Sequence, residues 1–396
     1  MGKPHILAIP FPAQDHVIPQ VEFSLRLARH GFKVTALAEN NHLENQIHLV
    51  SIPDGMDLSE DRNELGKLSE AILRVMPGKL EELIEDINRL KGDNITLAEK
   101  MKIQQAAFWP ASSAVLALIL RIPKLIDSGI INNDVFSNEL KNFIWACIGD
   151  LTSQKIIFEL RNNSSMEVAD WLICNPDYDL EPTAFRMTSE ITPIGPLLAS
   201  NRGQNPTGNF WQQDTTFLEW LDQQPWHSVI YVAFGSFMIF DQTQFRELAL
   251  GLELSNRPFL WVEHPRWLGQ MRPDITEGTN DAYPVGFLDR VASRGRMVGW
   301  APQQKVLSHP SIACFLSHCG RNSTIESVCN GVPFLIDRDE SGIITQGEIN
   351  KKVEELLGGE NFKLRAMNLQ EKVTNSVKEG GSSYKNLNRF VEWLKA

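Results

Sequence analysis

The run from Trp300 to Leu335, WAPQQKVLSHPSIACFLSHCGRNSTIESVCNGVPFL, holds the residues best suited to chemistry. An apolar strand over Ala313–Leu316 ends at Ser317-His318-Cys319-Gly320, and a helix starts near Asn322-Ser323-Thr324. A helix N-terminus presents backbone N–H groups and the positive end of a dipole, which suits a phosphate. Gly320 lets backbone approach closely, and His318 adds a donor. Glu326 lies one turn into the helix, where a carboxylate binds the paired hydroxyls of a ribose. Trp300 offers a face on which a base stacks. The same spacing also fits an ordinary strand–turn–helix with a cap, and spacing alone does not separate the two.

The elements that must position these residues alternate. Ile6–Pro10 is a short apolar strand. From His16 to His30 the apolar residues Val17, Val21, Leu25 and Ala28 share a helical face, and Gly31 stops the helix. Phe32–Ala38 and Ile47–Ile52 read as strands. This βαβ order predicts a parallel sheet covered by helices. Leu65, Leu68, Ile72, Val75 and Met76 mark a helix that Pro77-Gly78 breaks, and a second helix carries Leu80, Leu83, Ile84, Ile87 and Leu90. Thr96-Leu97-Ala98-Glu99 fits a capping box, and Ala106–Trp109, Trp171–Cys174 and Ile191–Ile194 are further strands. Polar, Gly- and Pro-containing sequence over 196–214 reads as a linker. The pattern then restarts. Helices over Thr216–Asp222 and Gln242–Leu254 accompany strands Ser228–Phe234, Phe259–Val262, Met297–Val298, Ala313–Leu316 and Pro333–Ile336. A last helix carries Leu387, Phe390, Val391 and Leu394. The expected organisation is an N-terminal domain over 1–195, the linker, a second α/β domain over 215–380, and a terminal helix over 381–396 packing back on the first domain. Two such halves bind a ligand in the cleft at the carboxyl ends of their strands.

Composition narrows the classes. The 396 residues are 42% apolar and 22% charged, an ordinary globular balance that excludes general disorder. A net charge of −11 argues against a nucleic-acid surface, which needs a basic patch. Five cysteines without a CxxC pair predict buried thiols in a reducing compartment. No apolar run reaches membrane-spanning length, and the short run Ile6–Pro10 is not a signal-peptide core, so a cytoplasmic location is expected. Nucleotide motifs of the GxGxxG and GxxxxGK[ST] kinds are missing, as are HExxH and GxSxG. No cofactor and no metal site is expected.

The motifs WAPQ, HCGxNSTxE and GVPFL, all in the 300–335 run, resemble the plant secondary-product glycosyltransferase box of the family-1 UDP-sugar transferases. The opening IPFPAQDHVIP resembles that family's PAQGHxxP start, and it is most similar to the plant subgroup opening GRPHVxxIPYPAQGH. SVIYVAFGS at 228–236 resembles the family's β-phosphate loop. The resemblance covers nearly the whole chain. It implies a GT-B fold of two Rossmann-like domains, acceptor in the first and UDP-sugar in the second. It implies that Trp300 stacks on uracil and that Ala301 and Gln303 meet its edge or the ribose. Glu326 would hold the ribose hydroxyls. His318, Asn322, Ser323 and Ser236 would hold the diphosphate, with Gly320 giving it room. His16 matches the general base, which takes the acceptor hydroxyl's proton as that oxygen attacks carbon 1 with inversion. The implied partners are UDP-glucose and a hydroxyl-bearing plant metabolite such as a phenolic or flavonoid, handled by a monomer.

The departures from the family pattern carry equal weight. A strand ending in Asp is missing between Thr96 and Leu97, and that Asp would orient the histidine as a triad acid does. A second gap follows Leu335 and removes the Asp-Gln pair that grips the sugar, with Gly342 and Ile343 at the counted places. A third lies near Asn133–Val135, while Glu263–Met271 reads as an insert. Asp15 stands where the family has Gly and is expected to cap the following helix. Arg321 replaces Trp and adds charge at the phosphate-binding helix end, and Asp337 is a candidate surrogate sugar contact. Loss of the strand is expected to leave unpaired backbone in the first sheet. The expected activity is therefore an impaired glucosyl transfer. The rivals are an inactive nucleotide-sugar binder or regulatory homologue, and a chain that does not fold stably.

Overall fold

The computed structural model describes residues 4–11, 14–37, 47–57, 60, 65–90, 103–128, 169–200, 216–235, 241–263, 283–335 and 342–396. The chain divides into two compact units, one of residues 1–197 with 379–396 and one of residues 198–378. Every strand pairing in both is parallel.

The described residues of the second unit build one five-stranded sheet. Its strands are β7 (Val229–Ala233), β8 (Phe259–Val262), β9 (Gly295–Val298), β10 (Ile312–Ser317) and β11 (Phe334–Leu335), in the order β11-β10-β7-β8-β9. Both faces are covered, so the strands read as unbroken apolar runs rather than alternating ones. Ile230, Val232, Phe259 and Trp261 pack on one face with Phe245, Leu248 and Leu252 of a helix over Gln242–Leu254 and with Ile349, Val353 and Leu356 of a helix over Gln346–Gly358. Val229, Tyr231, Leu260 and Phe315 face the other way, against Phe217, Leu221, Val306 and Leu307. Asp241 caps the first of these helices and Thr345 caps the other in a reciprocal box with Glu348.

Among its described residues the first unit holds six strands in two sheets. One has the order β1-β2-β3, from β1 (His5–Ala8), β2 (Lys33–Leu37) and β3 (Ile47–Val50). The other has the order β4-β5-β6, from β4 (Ala106–Trp109), β5 (Trp171–Cys174) and β6 (Ile191–Pro193). The two share a core. Ala8 and Val34 from the first sheet and Ile173 from the second join Phe23 and Leu27 of helix α1 (Gln14–Arg29) and Leu387, Phe390 and Val391 of the terminal helix over Ser382–Lys395. Phe23 stacks on Phe108 at 4.9 Å, and Trp171 meets Phe390 edge-on at 5.5 Å. Ser383 Oγ donates to Gly195 O at 2.6 Å, which ties the terminal helix to the end of β6. Among the described residues β1 bonds only to β2 and β4 only to β5, so each stands at a sheet edge.

Three expectations are corrected. Pro77 does not break its helix, because α2 runs from Leu65 to Leu90 with Pro77 inside. Pro77 and Gly78 lie exposed on the outer face, so the apolar stripe through Val75, Met76 and Leu80 continues past them. The cysteines are not all buried: Cys174, Cys314 and Cys329 are, but Cys319 is exposed. The helix after β10 starts at Arg321, before the expected Asn322, because Gly320 already takes the cap position. The Thr96 capping box lies outside the described residues. Helices over Ser113–Asp127, Gln346–Gly358 and Glu360–Val377 join those read from the sequence.

Candidate functional site

The site in the second unit forms at the carboxyl ends of β7, β9 and β10. β10 ends at Ser317, and the chain turns through His318, Cys319 and Gly320 into a ten-residue helix, α9 (Arg321–Asn330). The turn is tightly specified. Cys319 takes a positive φ of 54°, its N–H donates to Ser317 Oγ at 3.2 Å, and its carbonyl accepts from Thr324 Oγ1 at 3.2 Å. Gly320 supplies no side-chain cap, so the helix end faces outward with its backbone N–H groups and positive dipole.

Two glycines frame His318. A Cβ on Gly320 would stand 2.1 Å from His318 Nε2, and one on Gly235 would stand 2.8 Å from His318 Cε1. Gly235 also holds a positive φ of 72°. The space that Gly320 provides is therefore filled by the imidazole. The ring is wedged between the ends of β7 and α9, and any side chain at either glycine displaces it.

Glu326 is buried, on a helix face that it shares with Asn322, Ser323 and Cys329. Neighbouring amides hold it. Gln303 Nε2 donates to Glu326 Oε2 and also to Ser323 Oγ at 3.1 Å, while Gln304 Nε2 reaches Glu326 Oε1 at 3.5 Å. Gln303 Oε1 in turn accepts from Tyr231 Oη at 3.3 Å. Tyr231 is fully buried on β7 with its ring stacked on Phe315 at 4.8 Å. Burial, with the Glu326 charge second, pushes its phenol well above the ordinary value, so it stays a donor.

Most of the residues singled out from the sequence in this half meet in one strand–turn–helix unit. Trp300 is half-buried after β9, Ala301 is buried beside it, and Gln303 opens the short helix α8 (Gln303–Leu307). His318, Gly320, Arg321, Asn322, Ser323 and Glu326 lie on the turn and the first two turns of α9. Arg321 is half-buried at the first helical position. Ser236 and Asp337 lie outside the described residues. Sequence reading did not pick out Tyr231 or Gln304. Tyr231 stood in view inside SVIYVAFGS, where a lone polar tip in a buried strand is the available signal.

His16 sits in the first unit, in the first turn of α1, half-exposed with Phe11 edge-on at 5.5 Å. Asp15 precedes it on the same helix, with its side chain outside the description. Among the described residues no three His, Cys, Asp or Glu side chains cluster as a metal site would require. No helix among them is long and apolar enough to cross a membrane.

One carboxylate outside this unit stands apart. Glu263 follows β8, is buried, and accepts from the Tyr283 hydroxyl. Burial raises its carboxyl to about 7, against which the Tyr283 hydrogen bond acts in the opposite sense.

Comparison with known proteins places the family and the fold. The model of the family described as "UDP-glucoronosyl and UDP-glucosyl transferase" matches residues 153–375. UDP-glycosyltransferase 83A1 of Arabidopsis thaliana is 39% identical, with 100% of this chain and 98% of that protein covered. That alignment spans 474 positions while this chain has 396 residues, so segments present in the relative are missing here. The 7-deoxyloganetin glucosyltransferase of Gardenia jasminoides is 27% identical over 99% of this chain and 98% of its own. Among solved structures, Os79 of O. sativa in complex with UDP superposes with a TM-score of 0.80 at 26% identity, covering 98% of this chain and 99% of that one. A second Os79 structure, with U2F and trichothecene, superposes with a TM-score of 0.79 at 25% identity, covering 98% and 99%.

Proposed function

The chain belongs to the UDP-glucoronosyl and UDP-glucosyl transferase family, with a GT-B type α/β fold, and from that premise we propose that it transfers glucose from UDP-glucose to a hydroxyl of a small plant metabolite. The observation that carries this reading is the buried Glu326 carboxylate, held by Gln303 and Gln304 beside a helix N-terminus and His318. A carboxylate and a helix dipole a turn apart suit the two ends of a nucleoside diphosphate, the ribose diol and the phosphates. Trp300 stacks on the base, and Ala301 lies at its edge. Ser236, Asn322, Ser323 and the α9 N-terminus hold the diphosphate with His318, and Arg321 adds charge there.

In the reaction His16 accepts the proton of the acceptor hydroxyl as that oxygen bonds to the anomeric carbon. The bond from that carbon to the diphosphate oxygen breaks, and UDP leaves with the electron pair. Attack from the opposite side inverts the configuration. The growing charge on UDP is met by His318 and the helix end. Os79, seen with UDP and with trichothecene, supports a small-molecule acceptor. The chain works as a monomer in the cytoplasm.

A second reading keeps nucleotide binding and drops the transfer. It is favoured by the shortness of the chain, 396 residues in an alignment of 474 positions with its 39%-identical relative. A UDP-release assay with UDP-glucose and a panel of phenolic acceptors, run beside calorimetric titration with UDP, separates the two. Release well above the acceptor-free rate supports transfer. Binding without release supports the second reading, and no binding overturns both.

A further inference from the structure

We infer that Tyr231 is a positioning residue of the nucleotide site, acting through Gln303 on Glu326. The inference rests on the assignment of Glu326 to the ribose. The geometry is a relay of three side chains from three elements: β7, α8 and α9. A primary amide turned end for end would present an acceptor oxygen to Glu326 and repel it. Tyr231 supports the productive orientation from the other end. Its hydroxyl stands 3.3 Å from Gln303 Oε1 and donates to it, so the amide nitrogen points at Glu326 Oε2 and Ser323 Oγ. Both amide hydrogens are then in use within the protein, so Gln303 serves the ligand by aiming Glu326 and Ser323. The relay is stiff because Tyr231 is fully buried and stacked on Phe315 in the middle of the sheet. Burial keeps the phenol protonated over the ordinary pH range, so the hydroxyl retains the hydrogen that it donates to Gln303.

The test uses the full chain with UDP and 2′-deoxy-UDP as probes in titration calorimetry. The wild type should bind UDP more tightly than the deoxy analogue. In Tyr231→Phe the UDP affinity should fall roughly fivefold, the scale of one hydrogen bond, while the deoxy analogue changes little. The preference between the two ligands therefore shrinks, an effect that loss of packing alone does not produce. Gln303→Met should shrink it too, and adding Tyr231→Phe to Gln303→Met should change nothing further. If Tyr231→Phe unfolds, Gln303→Met alone carries the test, and a wild-type preference retained there overturns the relay. A wild-type preference retained in Tyr231→Phe, or additive losses in the double variant, overturns the relay. Glu326→Ala separates the two layers: if it removes the preference while Tyr231→Phe does not, only the relay fails. If it leaves the preference intact, the ribose assignment fails with it.

Discussion

The two units handle the same fold logic with opposite results. In the second, β7 and β10 are buried along their whole length, at the centre of a five-stranded sheet. In the first, β1 is half-buried over three of its four residues, and β4 begins exposed. Among the described residues each stands at the edge of a three-stranded sheet. A parallel strand is stabilised by neighbours on both sides and by helices on both faces, so an edge position removes half of its ladder. Side-chain packing joins the two described sheets of the first unit. Phe23, Phe108, Trp171 and Phe390 belong to α1, β4, β5 and the terminal helix, and they stack in one cluster. The Trp300–Glu326 run, by contrast, is continuous in sequence.

The largest expected effect tests the division of labour. His16→Ala should lower any glucosyl transfer by about 10²–10⁴-fold, the usual worth of a general base, while UDP affinity stays as it was. Acceptor-dependent UDP release and calorimetry on the same preparation check it, and a matching loss of affinity would contradict the assignment of chemistry to one unit and nucleotide to the other.

A next contrast compares the two cores. Trp261→Ala empties a fully buried site against Phe245 and should cost about 3–5 kcal/mol. Phe108→Ala, half-buried against Phe23, should cost roughly 2 kcal/mol. Urea unfolding of both variants measures the difference, and equal costs would mean that the first unit's core is as well packed as the second's.

Glu263 sharpens the comparison within the second unit. Its carboxyl is raised from 4.5 to about 7 in the folded state, so folding favours the protonated form. Between those values the folded chain holds a proton that the unfolded chain has lost, so stability falls as pH rises through that window. Glu263→Gln should therefore be more stable than the wild type by about 3 kcal/mol above pH 7, with the gap closing below pH 5. Thermal melts from pH 4.5 to 8 report it. A gap that widens on acidification would reverse the sign argument.

The smallest effect concerns the base. Trp300→Ala should weaken UDP binding by roughly 1–3 kcal/mol, the range seen for a base on an aromatic ring. An unchanged affinity in calorimetry would remove Trp300 from the site.

Much of this was legible in the sequence because it is local. Strand β10, its turn and α9 are continuous in the chain, so His318, Gly320, Ser323 and Glu326 reach their places through one turn's geometry and helix periodicity. Strands such as Trp171–Cys174 and Phe259–Val262 are short apolar runs between turn signals, and their existence follows from composition. The helix through Pro77 was not legible, since a proline's effect depends on which face it occupies, and only packing decides that. Nor was the His318 wedge: Gly235 and Gly320 are far apart in sequence, and the ring between them is set by the pairing of β7 with β10. The same pairing stacks Tyr231 on Phe315, and the turn after β9 delivers Gln303 to its hydroxyl. The residue types along the chain thus determined which chemistry was available, because cap, turn and periodicity act over a few residues. Which carboxylate is held, by which amide, and which strands pair were decided only in the tertiary structure, because hydrogen bonds and strand pairing depend on elements distant in sequence.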